Sequence, residues 1–285
     1  MTVTATAQPI DIPVLKAWNR IFELVAGVAD NPYNRAKLRD AILELYPGRT
    51  EKSVFRGMAI PTLRRLGLIV GFADLIRLSA NGKLVNAAHR KSEQLGKRAL
   101  GTIVYEIDQA EPGFLQQITN DQQWTAAHIV EHFLTQVSAP NQASARERIR
   151  DWLGLLSYCD LVTERAHTIS LNHQMVKQVS KDANPNEKSR LFEKLLIPSY
   201  TRLVERSKGV QSHPIEDLRA EVALAILAKH KHILTEEQFD ELLMQFPKTG
   251  SGYLISFGRP MGADEKLFHF DGKYYQTISI RFFNQ

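Results

Sequence analysis

The chain holds one cysteine among 285 residues. It can form neither an internal disulfide framework nor a cysteine-rich zinc site. It has no run of the roughly 18 consecutive apolar residues that a membrane span needs. The opening Met-Thr-Val-Thr-Ala-Thr-Ala lacks a basic segment followed by an apolar stretch, so a secretory signal is not expected there. These absences lead to the expectation of a reducing, cytoplasmic setting without membrane contact. Nucleotide and acyl-transfer signatures are missing too. Thr249-Gly250-Ser251-Gly252 lacks the order of a phosphate-binding loop. Lys248-Thr249-Gly250 has no Ser-x-x-Lys or Ser-Asp-Asn to accompany it.

Charge of one sign is also scarce, with a formal net of +5. The 44% hydrophobic and 24% charged content is that of a folded protein. The distribution says more than the total. Residues 1–100 carry 16 Lys/Arg against 8 Asp/Glu, residues 101–200 carry 9 against 12, and residues 201–285 carry 11 against 11. A basic partner surface is therefore expected in the first third.

Helical spacing runs through Leu15, Trp18, Ile21, Phe22 and Val25, with Asp11 as a candidate cap and Asn31-Pro32 as a stop. A second helix is predicted over 34–46 and a third over 50–66, which Pro61 should kink or divide. Leu68-Ile69-Val70 and Leu75-Ile76-Arg77-Leu78 read as strands, with Asn81-Gly82 as a turn. Three helices followed by a β-hairpin, with Thr62-Leu63-Arg64-Arg65-Leu66-Gly67-Leu68-Ile69 at the junction, resemble the winged-helix superfamily over residues 12–85.

The pattern recurs. At an offset of 93, Leu63, Leu66, Leu68, Ile69, Ile76 and Leu78 fall on Leu156, Cys159, Leu161, Val162, Ile169 and Leu171, and Pro61 falls on Gly154. Leu38 and Ile42 fall on Ile129 and Phe133 at an offset of 91, which implies a small loop difference. One buried pattern used twice predicts a second unit over 119–172. The expected division is a basic winged helix at 1–85, a connecting helix within 86–118, a second winged helix at 119–180 and a C-terminal α+β domain at 181–285. That last domain has room for a third, degenerate winged helix. Lys181 to Asn186 reads as a polar linker, and Pro198 should interrupt a helix over 187–206. The fold class is mostly α, α+β, with tandem winged-helix domains.

His128-Ile129-Val130-Glu131-His132 resembles an inverted zincin string over five residues, but a catalytic zinc needs a further ligand. In the repeat, this segment is a packing helix. Asp264-Glu265-Lys266 and Asp271-Gly272-Lys273 lie beside turn signals and make a poor nuclease set. No catalytic residue, metal or cofactor is therefore expected. Cys159 takes an apolar position of the repeat and is expected to be buried.

A helix fits the major groove of DNA, and Lys/Arg on it and on the wing neutralise phosphates. With Val54, Met58 and Leu63 inward, Lys52, Ser53 and Arg56 face outward. Arg49 precedes the helix, Arg64 and Arg65 lie near its end, and Arg77 and Lys83 are expected on the wing. In the second copy the residues expected outward are Glu147, Arg148, Arg150 and Asp151. The resemblance implies duplex DNA binding by the first copy, as in regulators, replication initiators or the recognition part of defence and mobile-element systems. It also implies an alternative, since tandem winged helices that bind the kleisin of chromosome-organising complexes grip protein partners. Residues 119–285 are the candidate surface for such a partner or for self-association.

Overall fold

Most helices begin where a short polar side chain takes up a free backbone N–H. Asn34 accepts from the Lys37 amide, Ser79 from Gly82, Thr125 from His128, Asn141 from Ser144, Asn172 from Met175 and Thr235 from Gln238. The computed structural model describes residues 12–110, 113–118, 124–250, 252–260 and 266–283. Asp11, Ser251 and Asp264-Glu265, named above, lie outside the described residues.

The fold is mostly helical with small antiparallel sheets. A short 3₁₀ turn at Trp18–Arg20 leads into α1 (Ile21–Asp30), and α2 spans Arg35–Glu44. A π-helical segment, Lys52–Ala59, runs into α3 (Ile60–Arg65). The widened turn lies immediately before Pro61, which has no N–H to give and disfavours ordinary α-helical geometry ahead of it. At the seam the Ile60 amide donates to the Phe55 carbonyl, five residues back. Strands β1 (Ile69–Val70) and β2 (Arg77–Leu78) pair as a hairpin, and α4 (Ala80–Lys91) follows at once. Then come α5 (Glu93–Ala110), α6 (Phe114–Gln117), α7 (Ala126–Leu134) and α8 (Gln142–Tyr158). The hairpin β3 (Val162–Arg165) with β4 (Thr168–Leu171) leads into α9 (His173–Asp182).

The backbone hydrogen bonds of the first segment recur in the second. The Leu68 amide donates to Leu63 O and Ser79 to Leu68 O, as Leu161 donates to Leu156 O and Asn172 to Leu161 O. Tyr33 N donates to Ile76 O, while at the matching positions Ile169 N donates to Trp124 O in an isolated β-bridge. Gly67 and Asp160, the residues that end the third helices, both have positive φ. The caps of the second and third helices repeat at an offset of 91, and everything from Leu63 onward repeats at 93. The two-residue difference therefore lies inside the third helix rather than in a loop. The repeat also extends through α4 and α9.

Asn81-Gly82 is not a turn but the first turn of α4. Gly82 suits that place because a Cβ there would sit 2.0 Å from Leu68 O. The connecting helix expected within 86–118 is not one helix: the chain breaks at Ser92, where the Gly96 face of α5 closes on His89. The polar stretch 181–186 is not a loose linker. Asp182 is buried and accepts from Arg98 at 2.5 and 2.8 Å, while the buried Lys188 ammonium donates to Asp182 O, Asn184 O and Gln238 Oε1. Burial disfavours that charge and lowers the Lys188 pKa to about 8.

Beyond it, α10 (Ser189–Arg206) continues through Pro198 without interruption. Strand β5 (His213–Pro214), α11 (Ile215–His230) and α12 (Glu236–Gln245) follow. A sheet of β6 (Thr249–Gly250), β7 (Tyr253–Gly258) and β10 (Thr277–Phe282) takes β5 onto its far edge, in the order β5-β10-β7-β6. Residues 273–282 form two strands. They divide at Gln276 between β9 (Lys273–Tyr275), which pairs with β8 (Phe268–Phe270), and β10. The β8–β9 turn at Asp271-Gly272 uses positive φ at both residues.

This last region is fastened to the first through the start of α4. Ala80 N and Asn81 N donate to the Glu216 and Glu236 carboxylates, and Asn81 Oδ1 accepts from Glu236 N at 3.0 Å. Fully buried Arg219 joins Glu216 to Asp240 and also donates to Lys266 O at 2.7 Å.

Candidate nucleic-acid interface

The third helix of the first repeat buries Val54, Phe55, Ala59 and Leu63, which leaves Lys52, Ser53, Arg56, Gly57, Arg64 and Arg65 exposed. Arg56, Arg64 and Arg65 line one open groove of about 360 Å³, and Arg35 from α2 joins them. Its floor is apolar, made by Phe55, Ile60, Pro61 and Ile76, and Phe72 of the hairpin forms one wall. Arg64 donates to Gly71 O at 2.7 Å and lies 4.5 Å over the Phe72 ring. Gly71 is required there: φ is +85° and a Cβ would sit 2.1 Å from Leu75 O. Arg35 and Arg56 share Glu51 at 3.7 and 3.4 Å. Among the described residues, no carboxylate lies within ion-pair distance of Arg49, Lys52 or Arg65.

The other predicted residues separate. Arg49 and Ser53 line a second groove, opposite Glu147 and Asp151 of α8. Lys52 is exposed on the same helix. Arg77 lies 5.9 Å from the centre of the Tyr33 ring at the hairpin. Lys83 is not on the hairpin: it sits on α4, half-buried, 3.4 Å from Asp217. The reason is that Asn81-Gly82 begins a helix and not the turn its composition suggests. Arg35 was absent from the sequence reading. Its position at the start of α2, against the third helix, was the available signal.

In the second repeat the outward face of the equivalent helix is partly covered. Residues 12–20 run along α8 with Ile12, Leu15 and Ala17 fully buried. Lys16 pairs with Glu147 at 3.4 Å, and the Trp18 indole donates to Asp151 at 3.3 Å. The Trp18 ring fills the space of a side chain at Gly154, where a Cβ would be 2.3 Å from it. Asp151 is therefore not an outward carboxylate. Burial pushes its pKa up to about 6, against the opposing pull of the Trp18 hydrogen bond. Arg148 is likewise engaged, donating to Ser138 O at 2.9 Å. Arg150 remains exposed.

The His-x-x-Glu-His segment packs as part of α7. His128 stacks on Trp124, His132 meets Trp124 and Phe133 edge-on, and Glu131 pairs with Arg146 at 2.9 Å. Cys159 is fully buried, and burial raises its thiol pKa. Among the described residues, no helix is long and apolar enough to cross a membrane. No family model, curated protein or solved structure matches the chain.

Proposed function

We propose that the chain is a non-catalytic DNA-binding protein built of tandem winged helices, whose first unit contacts duplex DNA. The order helix, bridging residue, helix, helix, hairpin in both repeats supports the winged-helix reading. The chain order α10, β5, α11, α12 and then β7 and β10, with β5 on the edge of β10, suits a third such unit. The observation that carries the function is the open third helix of the first repeat, where exposed Lys52, Arg56, Arg64 and Arg65 lie along one element. A helix of this kind fits a major groove, and these cations suit phosphates on either side. The roles that fit are a regulator, an initiator or the recognition subunit of a defence or mobile-element system, acting in the cytoplasm.

The test is binding to random-sequence duplex over a range of salt. Four phosphate contacts predict a log–log slope of about −3 to −4. The alternative is a protein-interaction subunit of a chromosome-organising or defence complex. An apolar groove of about 480 Å³ between α8 and its hairpin, walled by Trp18, Leu153, Tyr158 and Ile169, favours it. Salt-insensitive capture of a protein partner with no DNA binding would select that alternative.

A further inference from the structure

The hairpin of the first repeat carries exposed apolar side chains that its fold does not require. Phe72 is 54% exposed, Leu75 52% and Tyr33 57%, and the Tyr33 amide donates to Ile76 O, so Tyr33 borders the hairpin. An arginine accompanies each ring: Arg64 lies 4.5 Å over Phe72 and Arg77 5.9 Å from Tyr33. The second repeat supplies the control. At the matching positions stand Arg165, Thr168 and Trp124. Arg165 and Thr168 are polar, and Trp124 is only 3% exposed, packed against His128 and His132. The second repeat closes its hairpin as a regular ladder, with Arg165 paired to Thr168, whereas the first closes through a 3₁₀ turn at 73–75 that leaves Phe72 and Leu75 in water, so its exposed apolar groups need another explanation. Tyr33 also holds a φ of +60°, an uncommon backbone state for a bulky side chain.

We infer that this hairpin is a stacking platform for unpaired bases, so that the protein favours DNA in which a duplex meets a single strand. This rests on the DNA-binding reading above and adds a substrate class to it. Aromatic faces accept any base, and adjacent arginines add cation–π attraction and neutralise the strand's phosphates. The basic groove lined by Arg35, Arg56, Arg64 and Arg65 shares Phe72 as its wall, so it leads directly onto the platform. A duplex held against Lys52 and Arg56 would place its frayed or tailed end there.

The experiment compares a blunt duplex with the same duplex carrying a single-stranded tail, with 2-aminopurine placed in the tail. Fluorescence titration at one salt concentration reads both affinity and stacking. The tailed duplex is expected to bind about tenfold tighter, with quenching of the tail fluorophore. Phe72→Ala and Tyr33→Ala should each reduce that preference and the quenching. For Tyr33→Ala, blunt-duplex affinity should stay within about twofold, because Tyr33 lies outside the groove lined by Arg56, Arg64 and Arg65. Phe72→Trp should retain the preference. Thermal melting of each variant verifies that the exposed substitutions leave the fold intact. Equal binding of blunt and tailed duplex, or a preference that survives both alanine variants, would overturn the platform and leave the duplex reading standing. Binding to neither DNA would overturn both.

Discussion

The two repeats share a hydrogen-bond scheme and differ in what covers their third helices. In the first, the outward face of the helix is open and cationic. In the second, residues 12–20 lie along α8, with Trp18 against Gly154 and Lys16 on Glu147. A shared hydrogen-bond scheme therefore leaves surface chemistry free to diverge. The core positions hold the unit together, while the outward positions decide whether it meets a partner or the chain itself.

The sharpest way to break this comparison is charge reversal. Lys52→Glu with Arg56→Glu should weaken duplex binding roughly 100-fold, whereas Arg150→Glu on α8 should change it less than about threefold. Equal losses would end the division of labour. The next contrast is in stability. Gly154→Val places a side chain where Trp18 stands and should cost about 1–3 kcal/mol by denaturant unfolding. Gly57→Ala on the open helix meets only Lys52 O, at 3.2 Å, and should stay within about 1 kcal/mol.

The caps of α4 and α9 sharpen the comparison further. Ser79 accepts from Gly82 N and donates to Gly67 O at 2.6 Å, whereas Asn172 makes the cap bond alone. Ser79→Ala should cost about 2 kcal/mol and Asn172→Ala about 1 kcal/mol, read from the same unfolding curves.

The smallest effect concerns pH where α4 and α5 meet α12. Burial and the neighbouring Glu216 push Glu236 up to about 8, and burial pushes Glu106 up to about 7. Both carboxyls are favoured protonated in the folded state. Their contribution is therefore full below about pH 4.5 and is lost as pH rises through about 7 to 8. Melting temperature should fall between pH 5 and 8.5. Glu236→Gln, which keeps an acceptor for Asn81 N, should flatten that fall by an equivalent of roughly 1 kcal/mol.

Much of the repeat was legible in the sequence because its apolar spacing is local and repeated: Leu63 with Leu156, and Leu68 with Leu161, lie at one offset. Most of the exposed basic residues were legible as well, since a buried stripe on a helix identifies the opposite face. What escaped depended on partners distant in the chain. Asn81-Gly82 has the composition of a turn, yet Ser79 caps it into a helix whose first amides reach Glu216 and Glu236. The polar run at 181–186 looks solvated until Arg98 and Lys188 are placed against Asp182. Asp151 reads as an outward carboxylate because its donor, Trp18, is 133 residues away. Tyr33 and Phe72 carried no local signal, since exposure of an aromatic residue is a tertiary outcome.

The most direct measurement of the asymmetry places a fluorophore on each third helix in turn. Ser53→Cys and Ser157→Cys put a reactive thiol on an exposed position of each, and the native Cys159 is fully buried and should resist labelling. On titration with random-sequence duplex, the label at position 53 should change intensity saturably and the label at 157 should not. A response at 157 with none at 53 would contradict the account.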